Sequence, residues 1–195
     1  MYKSSQPILQ IMSSIVLLLI AVPLVYVAIN LISSPNKFIE YITDQKTLFL
    51  AWNTIILSFT VTIASICISV PLAILTIRSN LPLKKLFRVL LCLPLVFPSY
   101  IYGFLFIILF GPKGVVYNIF KQIGIQQVPD LYGFWGAFAC LTLLSFPYIF
   151  ISVSSSLIKL DYSYEEVSSS LGKSFWYTYG KVIIPLLKPS IIVGA

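Results

Sequence analysis

Five apolar runs, most of them longer than a soluble core helix needs, constrain this chain more than any other feature. They extend from Ile8 to Ile32, from Leu48 to Ile77, from Leu86 to Phe110, from Phe134 to Ile158, and from Val182 to the last residue, Ala195. A membrane-spanning helix takes about 20 residues, so the first four are long enough and the fifth is cut short. Only 10% of the 195 residues are charged, against about 25% in an average soluble domain. The mean hydropathy is +0.97. Apolar surface on this scale must face lipid or other membrane helices, and in lipid only helices and closed barrels satisfy the backbone. The expected architecture is an all-α, polytopic bundle of transmembrane helices over residues 1–195. A secretory leader would have an apolar core of about 7–15 residues and a small-residue cleavage site. The first run is longer and no Ala-x-Ala site follows it, so it reads as an uncleaved span. Because the fifth run is still apolar where the chain stops, the sequence reads as the N-terminal part of a longer protein.

Charge in the loops sets the orientation. With the N-terminus in the cytoplasm, Lys3, Arg78, Lys84, Lys85, Arg88, Lys159, Lys173, Lys181 and Lys188 lie inside, and Lys37, Lys46, Lys113 and Lys121 outside. That bias obeys the positive-inside rule, with the short Arg78–Arg88 cluster as its decisive part. The net charge of +7 sits in such loops and forms no continuous basic face, which excludes a nucleic-acid partner.

Several chemistries are excluded too. There is no histidine, which removes most metal sites, triads and proton relays. Cys67, Cys92 and Cys140 each fall inside an apolar run and read as small buried hydrophobes. No Asp, Glu, Lys or Arg lies deep in a complete span, which argues against a secondary transporter, the rival reading, unless its relay lies beyond Ala195. A membrane-embedded enzyme would need a nucleophile–base pair or metal ligands. No catalytic, metal or cofactor residue is therefore expected.

Prolines interrupt the spans at Pro71, Pro94, Pro98 and Pro147. Pro94 and Pro98 are four apart, which puts two helix kinks on one face of the third span. Two readings stand: ordinary packing, or a crevice lined by freed carbonyls on a translocation path. Tyr100, Tyr102 and Tyr148 would offer phenolic oxygens to such a path, or simply pack at the interface. In the outer loop Gly111 to Tyr132, Val115, Val116, Ile119, Phe120 and Ile123 recur at helical spacing, with Pro112 and Pro129 as breakers. They predict a short surface helix, either a connector packed on the bundle or part of a docking surface.

Lys159 to Lys181 is the most informative loop. Ser163-Tyr164-Glu165-Glu166 has the form of a capping box, with Ser163 as cap and Glu166 reaching back. The helix would run to about Leu171, with Gly172 as its C′ stop. A second short helix would begin after Ser174 and end before Pro185. Between them lie Phe175, Trp176, Tyr177 and Tyr179, either an interfacial aromatic belt or a docking knob for a cytoplasmic subunit.

Glu166-Val167-Ser168, three residues, Gly172, nine residues, then Val182-Ile183-Ile184-Pro185 resembles the EAA loop of ABC importer permeases. That loop reads Glu-Ala-Ala, x3, Gly, x9, Ile-x-Leu-Pro. Glu, Gly and Pro keep their spacing; Val167, Ser168, Val182 and Ile184 are small or apolar replacements. Within that family the chain is most similar to ferric-iron permeases, through Leu93-Pro94-Leu95-Val96-Phe97-Pro98-Ser99-Tyr100, Phe110-Gly111-Pro112-Lys113-Gly114, Tyr132-Gly133-Phe134-Trp135-Gly136-Ala137 and Phe146-Pro147-Tyr148. Thiamine and polyamine permeases share much of the pattern. The resemblance implies a multi-pass bacterial inner-membrane protein without enzymatic activity of its own, in contact with membrane lipid. Its partners would be cytoplasmic ATP-binding subunits, an extracytoplasmic substrate-binding protein and a second permease half, in the same chain or another subunit. Glu165, Glu166, Val167, Ser168, Gly172, Val182, Ile184 and Pro185 would form the surface coupled to the ATPase.

Overall fold

The computed structural model describes residues 6–111, 114–122 and 133–195. The expectations resting on Lys3, Pro112, Lys113, Ile123 and Pro129 lie outside the described residues. Among the described residues the chain is helical with no strand. It divides between Thr54 and Ile55 into two units.

The first unit holds α1 (Gln6–Ser33), α2 (Pro35–Thr43) and the beginning of α3 (Gln45–Arg78). From Leu9 onward α1 is apolar on nearly every side and almost wholly exposed, as a helix solvated by lipid can be. Its polar side chains bond their own backbone: Ser14 Oγ donates to Gln10 O at 2.8 Å and Asn30 Nδ2 to Tyr26 O at 2.8 Å. Such bonds hide polar groups where no water is available. Pro35 opens α2 in the first turn, where its missing N–H costs nothing. Asp44 then breaks the helical path with extended backbone, and its Oδ2 accepts from Thr47 N–H at 3.3 Å to start α3.

The second unit is built around α7 (Phe134–Lys159). Small residues let α3 approach it: Ser65 and Ser69, one turn apart, donate to Thr142 O at 3.5 Å and Phe146 O at 2.7 Å. Ala73, one turn further on, is fully buried. A small residue every four positions is how membrane helices pack closely without a hydrophobic driving force between them. On its other side α7 meets α10 (Ile184–Gly194). Ser152 Oγ donates to Ser190 O at 2.6 Å, and the Ser156 and Ser190 hydroxyls share a hydrogen bond. Gly194 permits the contact, since a Cβ there would stand 2.8 Å from Ile149 Cα. Phe150, Val153, Leu157, Ile183 and Leu187 fill the core beside these polar seams.

Among the described residues, the helices Leu9–Ser33, Gln45–Arg78 and Phe134–Lys159 are each long and apolar enough to cross a membrane. The chain is thus a polytopic helical membrane protein. At 34 residues α3 is about 50 Å long, so its ends stand well clear of a hydrocarbon layer of about 30 Å.

The stretch Leu86 to Phe110 differs from the single kinked span expected. It consists of α4 (Lys84–Cys92), a 3₁₀ turn (Leu93–Val96) and α5 (Ser99–Phe110). Pro94 and Pro98 end helices here and do not kink one. Phe97, before Pro98, is extended at φ −89°, ψ 131°, because the proline ring excludes the helical region for the residue ahead of it. The surface helix expected in the outer loop is α6 (Val115–Gln122), packed against α5. The cysteines also differ from expectation: Cys67 is exposed, and Cys92 and Cys140 are half-buried. A thiol facing lipid is as well accommodated as one in a core.

Candidate functional site

The loop after α7 folds into an elbow of two short helices, α8 (Ser163–Ser170) and α9 (Phe175–Thr178). The capping box expected at Ser163 and Glu166 does not form. Ser163 is already the first helical residue, and its N–H donates to Asp161 Oδ1 at 3.0 Å. Asp161, two positions earlier, takes the free backbone donor and leaves Glu166 in the open.

Gly172 ends α8 at φ +71°. Its N–H donates to Ser169 O at 2.9 Å, and the Lys173 N–H donates to Ser168 O at 3.1 Å. These paired bonds are the Schellman arrangement, which needs a left-handed residue at this position. Ser174 then caps α9, its Oγ accepting from Tyr177 N–H at 3.4 Å. Ser168 and Thr178 join the two helices through a buried hydroxyl pair at 2.6 Å.

The second helix does not stop before Pro185. α9 runs into a π turn (Tyr179–Ile183) that leads directly into α10. The Ile184 N–H bonds Tyr179 O, one residue further back than in an α-helix. Pro185 has no N–H to hold an α-helical bond at this point, and π turns mark such local rearrangements. The turn brings Tyr179, Ile183 and Leu187 onto one buried stripe. Val182 and Ile184 are half-buried and Pro185 is exposed.

Arg78, the last residue of α3, reaches beneath the elbow. Its side chain is 2% exposed. Nη2 donates to Leu157 O at 3.0 Å and Leu160 O at 2.6 Å, at the end of α7 where carbonyls lack helical partners and carry the negative dipole. Nε lies 3.2 Å from Glu165 Oε1, an ion pair by distance without the alignment of a hydrogen bond. The guanidinium carbon sits 3.8 Å from the centre of the Tyr162 ring, a cation–π stack. Burial, and next the Glu165 carboxylate with its charge and hydrogen bond, push the Tyr179 phenol up to about 12. Arg88 on α4 donates from Nη2 to Thr76 O at 2.9 Å. Arg78 and Tyr162 carried no site signal in the sequence, since an arginine ending a span reads as a topology charge; Tyr179, grouped there with the aromatic docking surface, is instead buried beneath the elbow.

The elbow's outer face is apolar and exposed. Leu171 is 71% and Trp176 83% exposed, beside Val167, Phe175 and Tyr177. A groove of about 520 Å³ runs between the two helices, floored by Ser168 and walled by Tyr164, Val167, Leu171, Tyr177 and Val182.

The structure does not gather the candidate path residues. Pro94 is half-buried in the 3₁₀ turn against α7; Pro98 and Tyr100 are exposed, and Tyr102 is half-buried on α5. Of these, Tyr148 alone lines the cavity of about 530 Å³ between α3, α7 and α10, with the hydroxyls of Thr62, Ser65, Ser145 and Ser152. No group of His, Cys, Asp or Glu among the described residues could hold a metal ion.

Several known permeases resemble this chain over much of its length. The Fe(3+)-transport system permease protein FbpB 2 of Haemophilus influenzae is 34% identical over 156 residues, covering 80% of this chain and 27% of that protein. The molybdenum transport system permease protein ModB of Escherichia coli is 28% identical over 148 residues, covering 73% of this chain and 63% of its own. The "probable sulfate transport system permease protein cysT" of Chlorokybus atmophyticus is 29% identical over 118 residues, covering 60% and 40%. The chain therefore spans from about a quarter to just under two thirds of these relatives' lengths. Residues 65–195, which hold Arg78, the whole elbow and most of the cavity's lining, match the family described as binding-protein-dependent transport system inner membrane component, and to that family of multi-pass inner-membrane permeases the chain belongs.

Proposed function

We propose that this chain is permease sequence of an ATP-driven importer, and that the α8–α9 elbow is where cytoplasmic ATP-binding subunits dock. The observation that carries this is the elbow itself. Glu166, Gly172 and Pro185 stand at EAA spacing, and Gly172 closes α8 with Val167, Leu171 and, on α9, Trp176 all exposed. Exposed apolar surface of this kind serves association. The loop charges support a cytoplasmic N-terminus, which puts the elbow on the ATPase side. An extracytoplasmic binding protein would deliver substrate, and a second permease half would complete the pathway. Selectivity then rests with the binding protein, and the spans need no charged site.

The substrate we propose is ferric iron. Support comes from the similarity to an Fe(3+)-system permease over 80% of this chain. A second reading is favoured by the cavity, whose polar side chains are hydroxyls, with no Asp or Glu side chain among them. Hydroxyls donate to oxyanions, and relatives named for molybdenum and sulfate are similar over more than half of the chain. Deleting the complete gene tests both. Loss of radiolabelled iron uptake with normal molybdate and sulfate uptake supports iron. The opposite pattern discards iron and keeps the importer. Tagged permease that recovers no ATPase from membranes overturns the importer reading itself.

A further inference from the structure

Arg78 touches three parts of the molecule at once: the end of α3 that carries it, the last carbonyls of α7, and Glu165 and Tyr162 at the start of the elbow. Glu165 is in turn only 23% exposed, its carboxylate turned under the elbow toward the arginine. The neighbouring Glu166 faces outward. A planar guanidinium can hold several acceptors rigidly in this way, as a lysine cannot. The bonds to Leu157 and Leu160 bridge 79 and 82 residues of sequence. Those bonds tie α3 to α7, and the Glu165 ion pair and Tyr162 stack add the start of α8 to the same guanidinium, so α8 cannot tilt or slide freely without displacing α3 and α7. Ser168–Thr178 and the Tyr179–Ile183–Leu187 stripe carry the same displacement into α10.

We infer that Arg78 and Glu165 are positioning residues forming the joint through which motion of the elbow reaches α3 and α7. This inference rests on the importer reading above and names the residues that transmit its stroke. A loose joint would let the ATPase turn over while the spans lag behind.

The test has two arms, in the complete permease with Cys67, Cys92 and Cys140 replaced by alanine. In the first, nitroxides at Leu75→Cys on α3 and Ser169→Cys on α8 report the distance between the two helices in the permease alone. A narrow distribution is expected in the parent, and a broad one in Arg78→Gln and Glu165→Gln. An equally narrow distribution in both variants overturns the joint. Should Arg78→Gln fail to accumulate, Glu165→Gln, which removes charge and keeps shape, decides alone. In the second arm, the permease is assembled with its ATPase and binding protein in proteoliposomes, and substrate uptake per ATP hydrolysed is measured. The ratio should fall about tenfold, the size of a typical coupling free energy. A purely structural defect lowers uptake and hydrolysis together and leaves the ratio unchanged, and that result overturns the coupling role. A parent permease that recruits no ATPase overturns the importer reading, while the nitroxide distances still report on the tie between α3 and α8.

Discussion

Glu165 and Glu166 are neighbours on an eight-residue helix, but one lies under the elbow against Arg78 and the other faces outward. The same contrast runs through the whole elbow. Its inner side holds Arg78, Glu165, Ser168, Thr178 and Tyr179, buried or nearly so and bonded to one another or to helix ends. Its outer side holds Glu166, Val167, Leu171 and Trp176, exposed and contributing little to the fold. On the reading proposed above, removing the inner carboxylate should change how the permease is held together, and removing the outer one what it recognises.

The largest effect that could break this contrast is at Arg78. Arg78→Ala leaves Glu165 and two helix-end carbonyls buried without their partner, a loss of about 3–5 kcal/mol. The level of permease in membranes and its thermal aggregation temperature should both drop sharply. If both stay at the parent's values, the inner side is not what holds the elbow.

Gly172 comes next. No atom lies within 4 Å of a Cβ built there, so the penalty for Gly172→Val is that of φ +71° alone, about 1–2 kcal/mol. The protein should reach the membrane but recover less ATPase, and Gly172→Asn, which tolerates this conformation, should restore most of it. Equal behaviour of the Val and Asn variants would show that the helix stop does not shape the outer face.

Ser168→Ala removes one buried hydrogen bond, worth about 1 kcal/mol. Thr178 keeps its bond to Ser174 O at 3.1 Å, so the loss should appear as a small fall in aggregation temperature. Glu166→Lys on the outer side should change stability by no more than about 0.5 kcal/mol. It should nevertheless abolish co-purification of the ATPase. A variant that binds ATPase normally would show that recognition lies elsewhere on the surface.

The smallest effect concerns pH. The Tyr179 phenol is raised from 10 to about 12, so the neutral form is favoured in the folded state. Its contribution is complete below pH 10 and is lost as pH rises through about 12. In a spectroscopic titration, Tyr179→Phe should delete one late-ionising tyrosine and leave the titration below pH 10 as it was.

Much of this was legible in the residues. The apolar runs announced the long helices, and Gly172 announced the stop of α8, because both depend on neighbours within a turn or two. Ser174 likewise sits where a cap must. The capping box fails for a local reason: Asp161, two positions ahead of Ser163, takes the same N–H. In the sequence Pro94 and Pro98 mark a distortion, but do not show that a pair in this setting ends the helix outright.

The sequence alone determined that this is a helical membrane protein of the permease family, because hydropathy, breakers and motif spacing are properties of contiguous residues. Only the tertiary structure decided which glutamate turns inward, that Ser65 and Ser69 pair α3 with α7, and that Arg78 binds carbonyls some eighty residues further along. Those outcomes depend on where packing brings the ends of separate helices. A charge at the end of an apolar run looks the same in sequence whether it faces water or closes a joint.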